Sequence, residues 1–202
     1  KDLMRLISFT SVAHFGLMVM AIYVGNTVAL AGAMVYMVAH GLSIAGMFLI
    51  GGFLTERGHS QEIAAYGGMQ RVTPLIAGTF LISGLAAIAL PGLSGFVPEL
   101  MVLIGTFKVY RWASVLCLVG VVAGAVYVLL PYQKIFTGKA PAHRKSISDM
   151  NQRERWGVAA PLIVLMLIIG LHPQPLVNPM SQIANQVVIT QDASSQVEGS
   201  GQ

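Results

Sequence analysis

The chain has 202 residues, of which 55% are hydrophobic and only 10% charged, with a net charge of +4 and a mean hydropathy of +0.71. A soluble domain carries about 25% charged residues, so this composition excludes a water-soluble enzyme; the basic residues flank apolar runs and are no nucleic-acid footprint. The single Cys117 excludes an intramolecular disulfide and a cysteine-based metal cluster.

Leu6 to Thr55 is a run of 50 residues without Asp, Glu, Lys or Arg, and the 36 residues from Val72 to Phe107 contain one charge, Glu99. A membrane crossing takes roughly 20 apolar residues, and barrel strands are far shorter and alternate. The predicted fold is therefore all-α, a polytopic transmembrane helical bundle. The first span runs from Leu6 to Val24 and ends at Gly25-Asn26; it holds His14 with Ser8, Thr10 and Ser11. The second runs from Val28 to Leu54, with His40 and Ser43 near its centre and small residues (Gly32, Ala33, Ala39, Gly41, Ala45, Gly46) that admit close helix neighbours. Thr55 to Arg71 is a polar connection.

As one helix, Thr73 to Phe107 would measure about 50 Å against a hydrocarbon core of roughly 30 Å. It carries Pro91, Gly92, Gly95 and Pro98 in mid-run, where a plain helix wants none of them. It must break within one crossing or turn back as a hairpin. A single broken crossing puts ten basic residues on one side (Lys1, Arg5, Arg57, Arg71, Lys134, Lys139, Arg144, Lys145, Arg153, Arg155) and two on the other (Lys108, Arg111), whereas a hairpin puts six on each. The positive-inside rule favours the former. The expected architecture is thus five spans, the third (74–107) discontinuous near Pro91–Gly95, with basic loops cytoplasmic and the C-terminus outside. The fourth span is Trp112 to Tyr132, anchored by both aromatics. The basic loop from Gln133 to Arg155 leads to a short fifth span, Trp156 to Leu171, closed by His172-Pro173-Gln174-Pro175. Beyond it, Leu176, Met180, Ile183, Ala184, Val187 and Val188 recur at helical spacing, which predicts an amphipathic surface helix over 176–190. Residues 191–202, rich in Ser, Gly and Gln, read as a disordered tail.

Glu99 is the foremost candidate for chemistry. It follows Pro98 at the start of the second half-helix, where proline is tolerated and the helix dipole favours an anion. A buried carboxyl with that support suits a group that loads and releases a proton; the plainer alternative is a glutamate tying one helix to another. His40 and His14 lie within adjacent spans, and neutral imidazole passes protons between its two nitrogens; here the plainer alternative is a histidine satisfied by a neighbouring helix. Lys108 stands nine residues beyond Glu99, either snorkelling from a span end or leading a proton outward. His59, His143 and His172 sit in loops or at a span end and read as solvated. No metal motif, phosphate loop, nucleotide fingerprint, CxxC pair or nucleophile triad is present, so the chain carries out no redox or group-transfer chemistry by itself.

Three stretches carry a resemblance. Lys1-Asp2-Leu3-Met4-Arg5-Leu6-Ile7-Ser8-Phe9-Thr10-Ser11-Val12-Ala13-His14-Phe15-Gly16, Met37-Val38-Ala39-His40-Gly41-Leu42-Ser43 and Leu90-Pro91-Gly92-Leu93-Ser94-Gly95-Phe96-Val97-Pro98-Glu99 resemble the antiporter-like subunits of the proton-pumping NADH:quinone oxidoreductase (complex I). The likeness covers residues 1–175, and a glutamate at Glu99 distinguishes one such subunit from relatives expected to carry lysine there. Two positions depart from the pattern: Met4, where lysine is frequent, and Pro98, where glycine is frequent. The resemblance implies that residues 1–175 are the last five of fourteen helices and hold the exit half of a proton path. His40, His14 and Glu99 would be its relay, and the charged opening Lys1–Arg5 a loop from the middle of a longer protein. It also implies no cofactor in this chain, with NADH, FMN, iron–sulfur clusters and quinone in other subunits. The expected partners are other membrane subunits of complex I, including neighbouring antiporter-like ones, and the lipid bilayer; the expected location is the bacterial cell (inner) membrane. The alternatives are a subunit of a multi-subunit cation/proton antiporter and a purely scaffolding set of helices.

Overall fold

The long apolar runs fold as helices, beginning and ending where the sequence supplies caps. The computed structural model describes residues 2–144 and 146–199. Lys1, Lys145 and residues 200–202, which enter the charge count and the predicted tail, lie outside the described residues, as do the side chains of His143, Asp192 and residues 194–199. Helix α1 spans Leu3–Tyr23, with the Asp2 carboxylate accepting from the Arg5 N–H at its N-terminus. Helix α2 spans Thr27–Gly58, opened by the Asn26 side chain, which accepts from the Val28 and Ala29 N–H groups, and closed by His59 in the left-handed conformation (φ +49°). Helices α3 (Pro74–Ala87) and α4 (Phe96–Val109) follow, then α5 (Arg111–Phe136). Helix α6 covers Gln152–Leu171, with a π-helical turn over Arg155–Ala159, and α7 covers Gln174–Gly199. Among the described residues there is no strand, only an isolated bridge between Asp2 and Glu62.

Among the described residues, four helices (α1, α2, α5 and α6) are long and apolar enough to cross a membrane. α3 and α4 have 14 residues each, about 21 Å at 1.5 Å per residue, too short to cross singly. Between them, residues 88–95 form successive tight turns, with Ala89 (φ +56°) and Gly92 (φ +91°) in left-handed conformations; Ala89 holds its conformation at a cost of about 1–2 kcal/mol. Gly170 of α6 packs onto this turn: a Cβ there would lie 2.3 Å from the Gly92 carbonyl oxygen.

α2 is the central helix, against which α1, α3, α4, α6 and α7 all pack. Among the described residues, two of three apolar cores contain buried side chains of α2. One gathers Leu3 and Ile7 of α1, Met47, Ile50 and Leu54 of α2, Phe80 of α3 and Phe136 of α5. The other gathers Met18 and Ala21 of α1, Ala29, Ala33 and Tyr36 of α2, and Val102 of α4. Between them, on the buried stripes of α1 and α2, lie Thr10, His14, His40 and Ser43. The apolar cores thus enclose a polar layer.

The connections are tied to the helix ends by polar groups distant in sequence. Arg57, in the last turn of α2, holds both oxygens of Glu154 at 2.7 and 2.6 Å. The Asp149 carboxylate accepts from the Leu75 and Ile76 N–H groups and so caps α3. The Arg144 guanidinium donates to the Gly58 and Ala65 carbonyls and stacks 4.9 Å over the Tyr66 ring.

Several boundaries differ from the sequence reading, with α1 beginning three residues early at Leu3, behind its Asp2 cap, and α5 ending four residues late at Phe136. α2 runs four residues past Leu54 to Gly58, because Thr55–Gly58 contains no strong helix breaker before glycine. α6 begins at Gln152 instead of Trp156, opened by a reciprocal cap in which the Asn151 side chain accepts from the Glu154 N–H and the Glu154 carboxylate from the Asn151 N–H. α7 continues to Gly199, where a disordered tail was expected from Gln191; the segment from Gln191 to Glu198 contains neither glycine nor proline, so nothing in it ends the helix.

Candidate functional site

Helical spacing brings the predicted residues together. Ser11 and His14 are three apart on α1, and Tyr36 and His40 four apart on α2, so each pair shares a helix face. Glu99 is the fourth residue of α4, and Pro98 occupies the first turn, where its missing N–H costs no helical bond.

His14 and His40 lie face to face, ring centroids 4.9 Å apart and planes inclined by 24°. His14 Nδ1 is 2.7 Å from the Thr10 carbonyl oxygen. A carbonyl only accepts, so Nδ1 carries the proton and Nε2 of the neutral ring has the lone pair. His40 Nε2 is 2.9 Å from Ser11 Oγ. His40 Nδ1 is buried and without a hydrogen-bond partner among the described residues. The Tyr36 ring meets both imidazoles edge-on, at 6.1 Å from His14 and 6.2 Å from His40.

Glu99 is only 3% exposed, and the Tyr36 hydroxyl donates to its Oε2. Among the described residues the one ion pair is Arg57–Glu154, so no Lys or Arg neutralises Glu99. Its support is the phenol and the α4 N-terminus, where backbone dipoles favour negative charge. A carboxyl so enclosed can hold a proton as a neutral acid or give it up with that support. Taken together, Glu99, Tyr36, His14 and His40 form one contiguous buried set of titratable groups drawn from three helices.

Lys108 is not part of this set. It is exposed in the last turn of α4, about 13 Å along the helix from Glu99 at 1.5 Å per residue. His59 and His172 stand at helix C-termini, away from the set. Tyr36 was not singled out in the sequence because an aromatic inside an apolar run reads as packing; its i, i+4 relation to His40, and the need of a buried phenol for a partner, were the available signals. Thr106, seven residues after Glu99 on the same face of α4, is also buried, with its hydroxyl unpartnered among the described residues. No group of three or more His, Cys, Asp or Glu side chains among the described residues is arranged to hold a metal ion.

An all-helical chain with apolar faces of this length, closed around a buried acid and two imidazoles, is an integral membrane protein. Residues 1–125 match the family described as NADH:quinone oxidoreductase/Mrp antiporter, TM, and the chain belongs to that family. It is 42% identical over 189 residues to NADH-quinone oxidoreductase subunit M of Mycobacterium tuberculosis, covering 94% of this chain and 34% of the relative. It is 36% identical over 179 residues to the subunit M of Escherichia coli K12, covering 88% of this chain and 35% of that one. The chain thus spans about a third of the length of the curated relatives it matches. Among solved structures, respiratory complex I from Thermus thermophilus with bound NADH aligns with a TM-score of 0.85 at 29% identity, over 93% of this chain and 40% of that one. The Mrp complex from Dietzia sp. DQ12-45-1b aligns with a TM-score of 0.75 at 21% identity, over 88% of this chain and 41% of that one, a likeness of fold alone.

Proposed function

We propose that residues 1–175 are the C-terminal helices of an antiporter-like membrane subunit of a proton-pumping NADH:quinone oxidoreductase, and that they form the exit half of its proton path. In this reading α3 and α4 make one discontinuous crossing, the third of five. Residues 176–190 are the amphipathic helix at the outer surface. The basic loops face the cytoplasm of a bacterial cell and the C-terminus lies outside. NADH, FMN, iron–sulfur clusters and quinone belong to other subunits. The partners of this chain are those membrane subunits, neighbouring antiporter-like ones among them, and lipid. Quinone reduction elsewhere perturbs a series of buried charges. His40 and His14 then pass a proton within the polar layer, Glu99 takes it up and releases it outward, and Lys108 at the far end of α4 marks the outward end of the path.

The observation that carries this reading is the contiguous buried set of Glu99, Tyr36, His14 and His40. Ionisable groups within membrane helices cost about 2.5–3.5 kcal/mol or more and mark proton and ion pathways. A scaffold would favour apolar residues at these positions. Identity to relatives named as oxidoreductase subunits favours this reading over a cation/proton antiporter subunit.

The test is purification of the tagged full-length protein from its own membranes. Flavin- and iron–sulfur-bearing subunits are expected to accompany it, with quinone reductase activity in the same fraction. Recovery with small hydrophobic subunits alone, and no reductase activity, would assign it to the antiporters instead.

A further inference from the structure

Within the proton-exit reading, on which this inference rests, we propose that Tyr36 is the positioning residue of Glu99, fixing which carboxylate oxygen exchanges the proton. The carboxylate is held asymmetrically. Its Oε2 accepts from the Tyr36 hydroxyl, while Oε1 has no hydrogen bond among the described residues. Tyr36 is itself immobilised. It is 1% exposed, packed in the core formed by Met18, Ala33 and Val102, and its ring stands steeply inclined to those of both His14 and His40, at 81° and 73°. A buried phenol has few rotamers to lose, so it fixes the carboxylate rotamer more firmly than a flexible donor would. The contact also spans two elements, from the central helix α2 to the first turn of α4. The residue facing the imidazole pair is thus the one that orients the acid. The phenol stays protonated throughout: the proton enters and leaves at Glu99 Oε1, and the Tyr36 O–H donates to Oε2 before and after.

The experiment uses Tyr36→Phe in the full-length protein within the assembled complex, together with Glu99→Gln and the double variant. Tyr36→Phe keeps the ring and its packing and removes only the donor. Proton pumping per quinone reduced is expected to fall about tenfold, the scale of one hydrogen bond to a charged group, with assembly intact. In infrared difference spectra the Glu99 carboxyl stretch is expected to move to higher wavenumber, toward an acid without a donor, a change that a packing role for the ring would not produce. The double variant is expected to pump no worse than Glu99→Gln alone, because Tyr36 acts through Glu99. Loss of pumping in Glu99→Gln alongside wild-type pumping and an unmoved band in Tyr36→Phe would overturn this inference and leave the exit reading standing. Wild-type pumping in Glu99→Gln would remove both. Where Tyr36→Phe lowers the yield of complex, Tyr36→Trp supplies a second ring with an N–H donor: partial recovery of pumping supports a donor role, and none contradicts it.

Discussion

Glu99→Gln in the full-length protein is expected to lower proton pumping by on the order of a hundredfold, within the range contributed by a positioned acid–base group, while the complex assembles at normal yield. The two halves of this expectation have separate physical grounds. Glutamine matches glutamate in volume, so the packing of α4 against α2 is kept. Its carbonyl oxygen still accepts from the Tyr36 hydroxyl, so that contact survives. What disappears is the ability to bind and release a proton, and with no Lys or Arg paired to Glu99 among the described residues, no ion pair is broken. Glu99→Asp is the informative companion. It keeps the acid but draws it back by one methylene from Tyr36, and pumping is expected to fall between wild type and Glu99→Gln. Proton-coupled reductase assays in proteoliposomes, with reductase turnover measured alongside, read both effects.

Gly105→Val is expected to destabilise the folded protein by about 3 kcal/mol, the upper end of overpacking costs, and to reduce recovery of the complex. A Cβ at Gly105 would lie 2.4 Å from the backbone nitrogen of Ala29 and 2.7 Å from its Cα. Backbone on both sides leaves no side chain to swing away. Gly32, where a Cβ would meet Met101 Cβ at 2.8 Å and Val102 N at 2.9 Å, closes the same contact from the α2 side. This close approach seats Glu99 against Tyr36, so a Gly105→Val protein that does fold should also show reduced pumping. Thermal unfolding of the solubilised full-length protein measures the first effect; a change within 0.5 kcal/mol, the scale of a surface substitution, would show that α2 and α4 are not pressed together.

Much of the helix pattern was readable from hydropathy, because a run such as Leu6–Thr55 admits only long helices. Pro91, Gly92 and Gly95 lie in the turns that separate α3 from α4, where each is a poor helix former. What remained hidden depends on pairs far apart in the chain. Asp149 caps a helix 74 residues earlier, and Arg57 meets Glu154 across 97 residues. Neither pairing leaves a local pattern. The stacking of His14 on His40 was likewise invisible, since it is set by the rotation of α1 about α2 and not by the spacing within either. Tyr36 shows the limit most clearly. Composition makes it one more apolar-run aromatic, and only the arrival of Glu99 from α4 gives its hydroxyl a use. The end of α7 differs for the opposite reason: the polar composition of 191–202 reads as a tail, yet no glycine or proline stops the helix before Gly199.

Proton exchange at Glu99 is most directly tested by infrared difference spectroscopy of the complex carrying the full-length protein, recorded during turnover with NADH and quinone. A carboxyl stretch that appears and vanishes with turnover in the wild type, and is absent from Glu99→Gln, is the predicted result. Identical carboxyl regions in the two proteins, with pumping undiminished in the variant, would contradict it.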